Sequence, residues 1–490
     1  MTFYPIIGIE THVQLNTNTK LFCSCLNEYT PDEPNKNICP FCTGQPGALP
    51  TLNKAAVKKA ISFGVAVSGH TPEKTRWDRK NYFYPDSPSG YQISQYDNPI
   101  VEGGKVTFYA EDKNNGSFSL HTLNLTRAHL ESDAGKLIHA GNKTYVDFNR
   151  CGAPLIEIVS EPELRNSMEA MAYISELQLI VRTIGISDGD MDKGQMRFDC
   201  NISMQTQEEY KAGKLPSYKV EVKNINSVRA LGRAIEYEIK RQTVILEKGE
   251  KPAQETRGWR DGMNRSDSQR SKEDAQDYRY FPEPDLQILS INREDIPDLR
   301  DLPELPGQKR QRYLDLGLNM QTANTFVSQE EVGAIFDRVS KEIKPQDKID
   351  NLLKTLANII ATSLISIAEK QEKNISDLVT DKNLITLADL FNQRKINNQG
   401  LSKALDILIQ NLESEAINVV NENGLMQVND DSSLKVVIDE VIEANPTPVS
   451  QYKSGKIQVI GFLVGQCMKQ SKGKGNPQKF TDMLKEKLAE

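Results

Sequence analysis

The sequence predicts an α+β protein whose first half is an antiparallel-sheet domain and whose second half is helical. Up to about residue 290, short runs alternate apolar and polar residues and are broken by Gly, Pro, Asn and Asp. Alternation with a period of two is typical of half-buried antiparallel strands. After the Pro-punctuated segment 296–307 these strand patterns become rare, and amphipathic segments rich in good helix formers replace them.

Three helices are predicted within the strand-rich half. Apolar residues recur at spacings of three and four over 52–69, 167–185 and 227–249, and each stretch ends in a glycine that can act as a C-cap. Helices and strands therefore share this half of the chain, which indicates the α+β class.

The length of the chain predicts two or three domains. A chain of 490 residues exceeds the roughly 250–300 residues at which a single core stops growing. We expect a cradle-shaped domain over 1–292, a helical domain over 293–410 and a small helical tail domain over 411–490.

Composition and charge are those of an ordinary soluble protein. Hydrophobic residues make up 38% and charged residues 26%, and we see no apolar run that approaches the roughly 20 residues needed to span a bilayer. The N-terminus shows neither a signal peptide nor a transit peptide pattern, so we expect a cytoplasmic protein that is not bound to a membrane. A net charge of -7 argues against an evenly basic nucleic-acid binder.

Charge reverses along the last eighty residues. Residues 411–450 carry eight acids and one Lys, whereas 451–490 carry eight Lys and three acids. The last segment can contact a polyanion, but charge alone favours a solvated helical face.

Polar side chains share one face of the first predicted strand. In IIGIETHVQL, Glu10 and His12 point the same way and lie about 7 Å apart at the backbone, close enough to converge on one cation. An exposed strand face would look the same, but the pattern recurs in other strands. The later polar faces carry Arg127, His129, Glu131 and Asp133; Arg197, Asp199 and Asn201; and Glu221 and Lys223.

Glu157 lies among branched aliphatic residues in PLIEIV, where an unpaired carboxylate would be costly. A metal, an Arg, a hydrogen-bond network or a structural ion pair would each satisfy it. Oxygen ligands with at most one His suit Mg²⁺, which often bridges to nucleotide phosphates.

Four cysteines predict a structural zinc site. Cys23 and Cys25 precede Cys39 and Cys42 with the spacing of a zinc knuckle over 23–42, although four reduced structural thiols remain the alternative. Cys151, Cys200 and Cys467 are scattered and are interpreted as packing residues. We find no P-loop, Rossmann fingerprint or nucleophile elbow, and no complete glutaminase constellation. If ATP is used, a sheet and a metal would hold it.

The same segments resemble a known family. The sequence is similar to the B subunits of the tRNA-dependent aspartyl/glutamyl amidotransferases over most of its first 290 residues and in part of its tail. The segments that carry the resemblance are IGIETHVQL (7–15), RKNYFYPDSPSGYQISQYD (79–97), NRCGAPLIEIVSEP (149–162), MRFDCNIS (196–203), EVKNINS (221–227), QETR (254–257), DYRYFPEPDL (277–286) and IGFLVGQCMKQSKGKGNPQ (460–478).

The resemblance implies a fold and a reaction. It implies a cradle domain related to glutamine synthetase, a helical domain, and a tail domain that binds tRNA. ATP and Mg²⁺ would phosphorylate the side-chain carboxylate of Glu on tRNA(Gln), of Asp on tRNA(Asn), or of both, and ammonia would displace the phosphate. An amidase (glutaminase) A subunit would supply ammonia, and a small C subunit would complete a heterotrimer. A non-catalytic tRNA-binding scaffold and a stand-alone ammonia-dependent amide ligase are the alternatives.

The resemblance also assigns residues. Glu10, His12, Glu157 and Asp199 match catalytic positions around Mg²⁺, and Glu131 lies in the acidic motif beside them. Where the family commonly reads Glu-Glu-Asp, this chain has Ser132, so that Asp133 or Glu131 would substitute as a ligand; Ser89, Phe198 and Cys200 are further departures. For the ATP or aminoacyl end the assigned residues are Arg79, Lys80, Tyr82, Tyr91 and Gln92, although several of these aromatics can simply pack. For the tRNA backbone they are Lys469, Lys472, Lys474 and Lys479.

Overall fold

The computed structural model describes residues 2–28, 32–271, 277–343, 350–427, 431–471 and 475–489. The chain divides into two compact units, Met1–Gln308 and Lys309–Glu490. The first unit is mixed and the second is helical, which confirms the predicted α+β class. The boundaries expected at 292 and 410 stay predictions.

The first unit contains the β-strands of the described residues. They are β1 (Tyr4–Gln14), β2 (Lys74–Thr75), β3 (Asp78–Asn81), β4 (Tyr91–Ser94), β5 (Val101–Glu102), β6 (Lys105–Glu111), β7 (Phe118–Ser132), β8 (Lys136–Ala140), β9 (Lys143–Asp147), β10 (Pro154–Ser160), β11 (Met196–Gln205), β12 (Val220–Ile225), β13 (Glu255–Arg260), β14 (Arg265–Ser271), β15 (Phe281–Pro282) and β16 (Leu289–Ser290).

A large sheet dominates this unit. Its order is β14-β13-β12-β11-β1-β10-β7-β5, with β6 also pairing with β7, and its pairs are antiparallel except for the parallel pair β12 and β13. The central strand β1 buries Ile7, Ile9 and Val13 on one face. Its other face carries Glu10 and His12, as the alternating sequence predicted.

The three predicted helices of this unit are present as α1 (Lys54–Ala66), α2 (Ser167–Thr183) and α4 (Val228–Glu247), and a short helix α3 (Gln207–Ala212) lies between the last two. Gly185 and Gly249 follow α2 and α4 with left-handed backbones, as expected of C-cap glycines. At α1 the expected cap is wrong. Ser68 takes the left-handed position there, one residue before Gly69.

The second unit is formed by helices. They begin with α5 (Pro306–Asp315), whose first residues precede the unit boundary, and continue as α6 (Met320–Ser328), α7 (Glu330–Glu342), α8 (Asp350–Asn358), α9 (Ile365–Gln371), α10 (Asp381–Asn392), α11 (Asn398–Gln410), α12 (Ala416–Glu422), α13 (Asp431–Ala444), α14 (Pro446–Lys453), α15 (Ile460–Gln470) and α16 (Pro477–Ala489). A compact core in the tail includes Leu434, Ile438, Leu463, Phe480 and Leu484.

One helical segment of the second unit is long and apolar. A π-helical turn, Ile359–Leu364, joins α8 to α9. Within the combined segment Asn351–Gln371, a window of 18 residues has a mean hydropathy of 1.4, so the segment meets the length and composition of a membrane span, the one such segment within the described residues. It buries Leu353, Leu356 and Ile360 in the unit. A core helix of a soluble protein meets the same test, so this segment is weak evidence for a membrane span.

Candidate functional site

Strand register brings four polar side chains into one row across the large sheet. On β1, His12 lies opposite Glu157 of β10 on one side and Arg197 of β11 on the other. Glu157 in turn lies opposite His129 of β7. Because directly opposed residues of antiparallel strands point to the same face, the row concentrates charge at one place on the sheet.

Three of these side chains, with Glu131, form what we call the carboxylate–histidine cluster: His12, His129, Glu131 and Glu157. The Nε2 atom of His12 lies 3.3 Å from Glu157 Oε2 and 3.4 Å from Glu131 Oε1. From the other side, His129 Nε2 lies 3.4 Å from Glu157 Oε2 and 3.9 Å from Glu131 Oε2. Two carboxylates are therefore held between two imidazoles, and His129 and Glu131 are buried.

The charges of this cluster shift its protonation equilibria. Burial by itself would lower the pKa of His12, but the hydrogen bond to Glu157 and the charges of Glu131, Glu157 and Asp199 raise that pKa to about 9. Burial would raise the pKa of Glu157, yet the two histidines hold it well below its usual range. Glu157 is thus an anion balanced by the imidazolium of His12.

His12, Glu131 and Glu157 also fit a divalent cation. Each offers one ligand atom, and these atoms lie within 4.8 Å of one another. Two carboxylates and one imidazole match the hard, oxygen-rich ligand sets of Mg²⁺, which uses few protein ligands and keeps several waters. A metal that replaced the His12 proton would meet the same two carboxylates.

Glu10 and Asp199 lie beside this cluster, at the pair of opposed positions two residues along the strands from His12 and Arg197. They oppose each other between β1 and β11. Glu10 Oε1 accepts a hydrogen bond of 2.9 Å from Asn201, whereas Asp199 Oδ2 accepts one of 2.7 Å from Lys223 Nζ. The resemblance placed both acids around the metal. The structure brings them to the same face, but Glu10 is paired with an amide and Asp199 with an ammonium group.

A cavity of about 550 Å³ opens over the cluster, a size typical of small-ligand sites. Cluster residues His12 and Glu131 line it, together with Lys223 and Thr256. Of the side chains assigned to the ATP or aminoacyl end, the cavity is lined by Lys80, Tyr82, Tyr91 and Gln92. Burial lowers the pKa of Lys80, but the charges of Glu131 and Glu157 raise it overall, so Lys80 is a fixed cation in this wall.

Arg79 is not among the residues that line the cavity. Its guanidinium makes a bidentate pair with Glu283, with both distances 2.7 Å, and reaches Asp285 at 3.1 Å. It also lies 4.2 Å from the centroid of the Tyr91 ring. In this position Arg79 links β3 to the residues that directly follow β15, and it packs against Tyr91.

The acidic motif that departs from the family pattern is arranged around arginines. Asp133 lies 3.1 Å from Arg197 and 3.3 Å from Arg150. Ser132 uses its backbone carbonyl to accept a hydrogen bond from Gln92. Of the two substitutes considered for the missing carboxylate, Glu131 therefore joins the cluster, whereas Asp133 is held by cations.

The four predicted zinc ligands converge at the rim of the cavity. The sulfur atoms of Cys23, Cys25, Cys39 and Cys42 lie within 4.8 Å of one another. Sulfurs bound tetrahedrally at about 2.3 Å from zinc would be about 3.8 Å apart, so this group is compact enough to close around an ion. A hydrogen bond from Cys23, supported by the Cys39 backbone, lowers the pKa of Cys42 to about 5 against the effect of burial.

Sequence reasoning missed some of the site. His129 and Lys223 were recognised on the polar faces of strands but were given no role. In the structure His129 contacts two carboxylates of the cluster, and Lys223 lines the cavity. Tyr278 lines the cavity from a segment recognised only by resemblance. The alternation of β7 and β12 was the available signal for His129 and Lys223.

The lysines assigned to tRNA belong to the second unit. Lys469 is exposed in the last turn of α15, and Lys479 is half-buried in the first turns of α16. Lys472 and Lys474 lie outside the described residues. The assignment of all four to tRNA stays a prediction.

Comparison with known proteins identifies the family of this chain. Residues 5–297 match the GatB/GatE catalytic domain family and residues 341–488 match the GatB domain family. The chain is 41% identical to the B subunit of the aspartyl/glutamyl-tRNA(Asn/Gln) amidotransferase of Persephonella marina, with 100% of both chains covered. It is 42% identical to the chloroplastic/mitochondrial B subunit of the glutamyl-tRNA(Gln) amidotransferase of Physcomitrium patens over 99% of this chain and 85% of that one. The chain therefore belongs to the family of aspartyl/glutamyl-tRNA(Asn/Gln) amidotransferase B subunits.

Proposed function

We propose that this protein activates the side-chain carboxylate of a mischarged Glu-tRNA(Gln) or Asp-tRNA(Asn) with ATP and converts it to an amide with ammonia. The single observation that carries the proposal is the convergence of His12, Glu131 and Glu157 beneath a cavity that also holds two lysines. The names of the relatives supply the tRNA substrates and the amidation.

The carboxylate needs activation because its leaving group in a direct reaction would be oxide. A carboxylate oxygen of the substrate attacks the γ-phosphorus of ATP, the bond to ADP breaks, and an acyl phosphate forms. The nitrogen of ammonia then bonds to the acyl carbon, phosphate departs with the bonding electron pair, and the nitrogen loses a proton. The amide and inorganic phosphate are the products.

Several residues have distinct parts in this reaction. Lys80 and Lys223 line the cavity and place fixed positive charge where phosphate groups would lie. His12, Glu131 and Glu157 would hold Mg²⁺, with Glu10 and Asp199 beside them, and the ion would neutralise phosphoryl charge during the transfer. Gln92 is fixed by its hydrogen bond to the Ser132 carbonyl and so presents a positioned amide to the cavity.

We assign structural zinc to the four-cysteine group. It lies next to the reaction cavity, since Cys42 is part of both and the neighbouring Phe41 also lines the cavity. Zinc would fix this wall of the cavity without taking part in the reaction.

The relatives are named as one subunit of an amidotransferase, which implies a multisubunit enzyme. We propose a heterotrimer with a glutaminase A subunit, which supplies ammonia, and a small C subunit. Lys469 and Lys479 are candidates for contacts to the tRNA backbone, which would give affinity without sequence choice. A cytoplasmic location is our proposal for this chain.

Reconstitution tests the function. This chain is combined with the amidase and small subunits, and ATP- and glutamine-dependent conversion of Glu-tRNA(Gln) and Asp-tRNA(Asn) is measured separately. We expect conversion of at least one substrate, and Glu157→Gln should abolish conversion and tRNA-dependent ATP hydrolysis while tRNA binding is retained. Unchanged ATP hydrolysis by Glu157→Gln would instead favour a scaffold.

A further inference from the structure

The segments that supply the lining of the reaction cavity also carry exposed aromatic rings. Phe83 is 83% exposed, Tyr84 is 51% exposed and Tyr96 is 50% exposed. All three follow strands of the small sheet β15-β3-β4, which also supplies cavity-lining residues. Large rings that stay exposed are unfavourable in water, and where they stack next to a ligand cavity they can mark an interaction site.

One group of rings leads from the cluster to the surface. Lys80 lies near Glu131 and Glu157, whose charges raise its pKa. Its Nζ atom is 4.9 Å from the centroid of the Tyr278 ring. Tyr278 contacts Tyr280 with ring centroids 6.3 Å apart. Tyr280 stacks on Tyr96 at 4.3 Å with an interplanar angle of 16°. This row therefore begins beside the reacting centre and ends at a half-exposed ring.

A second group lies on the β3 side of the cavity. Tyr82 lines the cavity and stacks on Tyr84 with ring centroids 5.7 Å apart and an interplanar angle of 27°. Phe83 lies between them in the chain. We call Phe83, Tyr84, Tyr96 and Tyr280 the rim aromatics.

We propose that the rim aromatics form a stacking platform for the unpaired nucleotides at the 3′ end of the aminoacylated tRNA. The inference rests on the proposed function, because the reacting amino acid is an ester of the terminal ribose. A carboxylate that reaches the cluster must bring the last nucleotide to the rim of the cavity. Proteins bind single-stranded ends by stacking bases on aromatic rings, and every base offers a π-face, so such a platform accepts any tRNA body.

Binding measurements on the reconstituted heterotrimer test the platform. The variants are Tyr96→Ala and Tyr84→Ala, and the matched control is Tyr145→Ala, a 55% exposed tyrosine on the separate hairpin β8–β9. Affinity is measured for intact mischarged tRNA and for the same tRNA without its three 3′-terminal nucleotides. Loss of one stacked base should weaken binding of the intact tRNA by roughly 5- to 150-fold, and it should not change binding of the trimmed tRNA.

A spectroscopic readout follows the terminal base itself. With 2-aminopurine in place of the terminal adenine, stacking on the wild-type protein should quench the fluorescence. Tyr96→Ala should restore the fluorescence, whereas Tyr96→Phe, which keeps the ring, should quench as the wild type does. A merely structural role of Tyr96 would not separate these two variants in this way.

Two results would overturn the platform. One is a binding result in which Tyr96→Ala and Tyr84→Ala do not distinguish intact from trimmed tRNA, because affinity falls equally for both or for neither. The other is weakened assembly of the heterotrimer by Tyr96→Ala or Tyr84→Ala with terminal-base quenching unchanged, which would assign the rings to a protein interface. Failure of the wild-type heterotrimer to amidate any mischarged tRNA would refute the proposed function instead, and the binding comparison would still decide the platform.

Discussion

The Nζ atom of Lys223 lies 2.7 Å from Oδ2 of Asp199, across neighbouring strands of the large sheet. The same ammonium lies 3.1 Å from Glu221. Burial lowers the pKa of Lys223, but the charges of these two carboxylates raise it overall, so Lys223 is a cation at neutral pH. Two acids thus hold one lysine at the wall of the cavity, and this arrangement fixes a positive charge before any ligand enters.

Lys223→Met should lower the rate of ATP-dependent amidation by roughly 100-fold, the scale of losing a preorganised charged donor. The substitution keeps the length of the side chain and removes its charge. The measurement is steady-state kinetics of the heterotrimer with ATP varied. Lys219→Met, at an exposed lysine just before β12, is the control and should leave the rate unchanged. An unaltered rate in Lys223→Met would remove this lysine from the mechanism.

His129 should act on metal binding through Glu157. Because it contacts both Glu157 and Glu131 from the side opposite His12, it holds the two carboxylates in place. His129→Gln should therefore weaken Mn²⁺ binding to the isolated chain by about 10- to 100-fold, as is usual when a residue that orients a ligand is lost. Electron paramagnetic resonance measures this affinity without turnover.

His139→Gln, at an exposed histidine of β8, serves as the control for His129. It should bind Mn²⁺ as the wild type does. If His129→Gln also binds Mn²⁺ normally, His129 packs in the sheet without orienting Glu157.

The four-cysteine group should hold one zinc ion per chain, and Cys42→Ser should lose it. Because Phe41 and Cys42 line the reaction cavity, loss of the ion should also lower the thermal midpoint of the first unit and weaken ATP binding. Elemental analysis and thermal unfolding measure these effects. Cys151→Ser, which changes a cysteine outside the group, should keep its zinc. A zinc-free wild-type protein with normal stability would favour four reduced thiols.

The strand faces were predictable because side chains alternate along a strand whatever its neighbours are. Alternation placed Glu10 with His12 and Asp199 with Arg197 before any pairing was known. The partners across strands were not predictable. His12 meets Glu157 from a strand that begins some 140 residues later, and one residue of slip would have turned Glu157 to the opposite face.

Arg79 shows the same limit for a binding residue. Arg79 is next to Lys80 in the sequence, but side chains alternate along a strand, so the two point to opposite faces of β3. Arg79 pairs with Glu283, which lies 204 residues away in the chain. No local pattern in the sequence predicts such a pair. The parallel pairing of β12 with β13 is equally non-local, because α4 lies between them. The sequence predicted that helix and the strand pattern before it, but not the pairing.

The second unit offers a test of stability that is independent of catalysis. Arg312 binds Asp337 through two hydrogen bonds of 2.8 and 3.1 Å, between α5 and α7. Burial would raise the pKa of Asp337, but the hydrogen bond and charge of Arg312 lower it overall. A carboxylate whose pKa is lower in the folded state stabilises that state above its unfolded pKa, and the contribution is lost as the pH falls through the folded-state value.

Asp337→Asn should therefore lower the free energy of unfolding by about 1–3 kcal/mol at pH 7, the scale of a hydrogen bond to a charged group. Below about pH 4 the carboxyl of the unfolded wild-type chain takes up a proton while that of the folded chain is still ionised, so the difference between wild type and variant should shrink. Urea unfolding of the full chain at pH 7 and at pH 3.5 measures both differences. Asp315→Asn, at an exposed aspartate of α5, should change the free energy by less than about 0.5 kcal/mol at either pH. A loss in Asp337→Asn that is the same at both pH values would mean that packing of the side chain, and not its charge, stabilises the contact between α5 and α7.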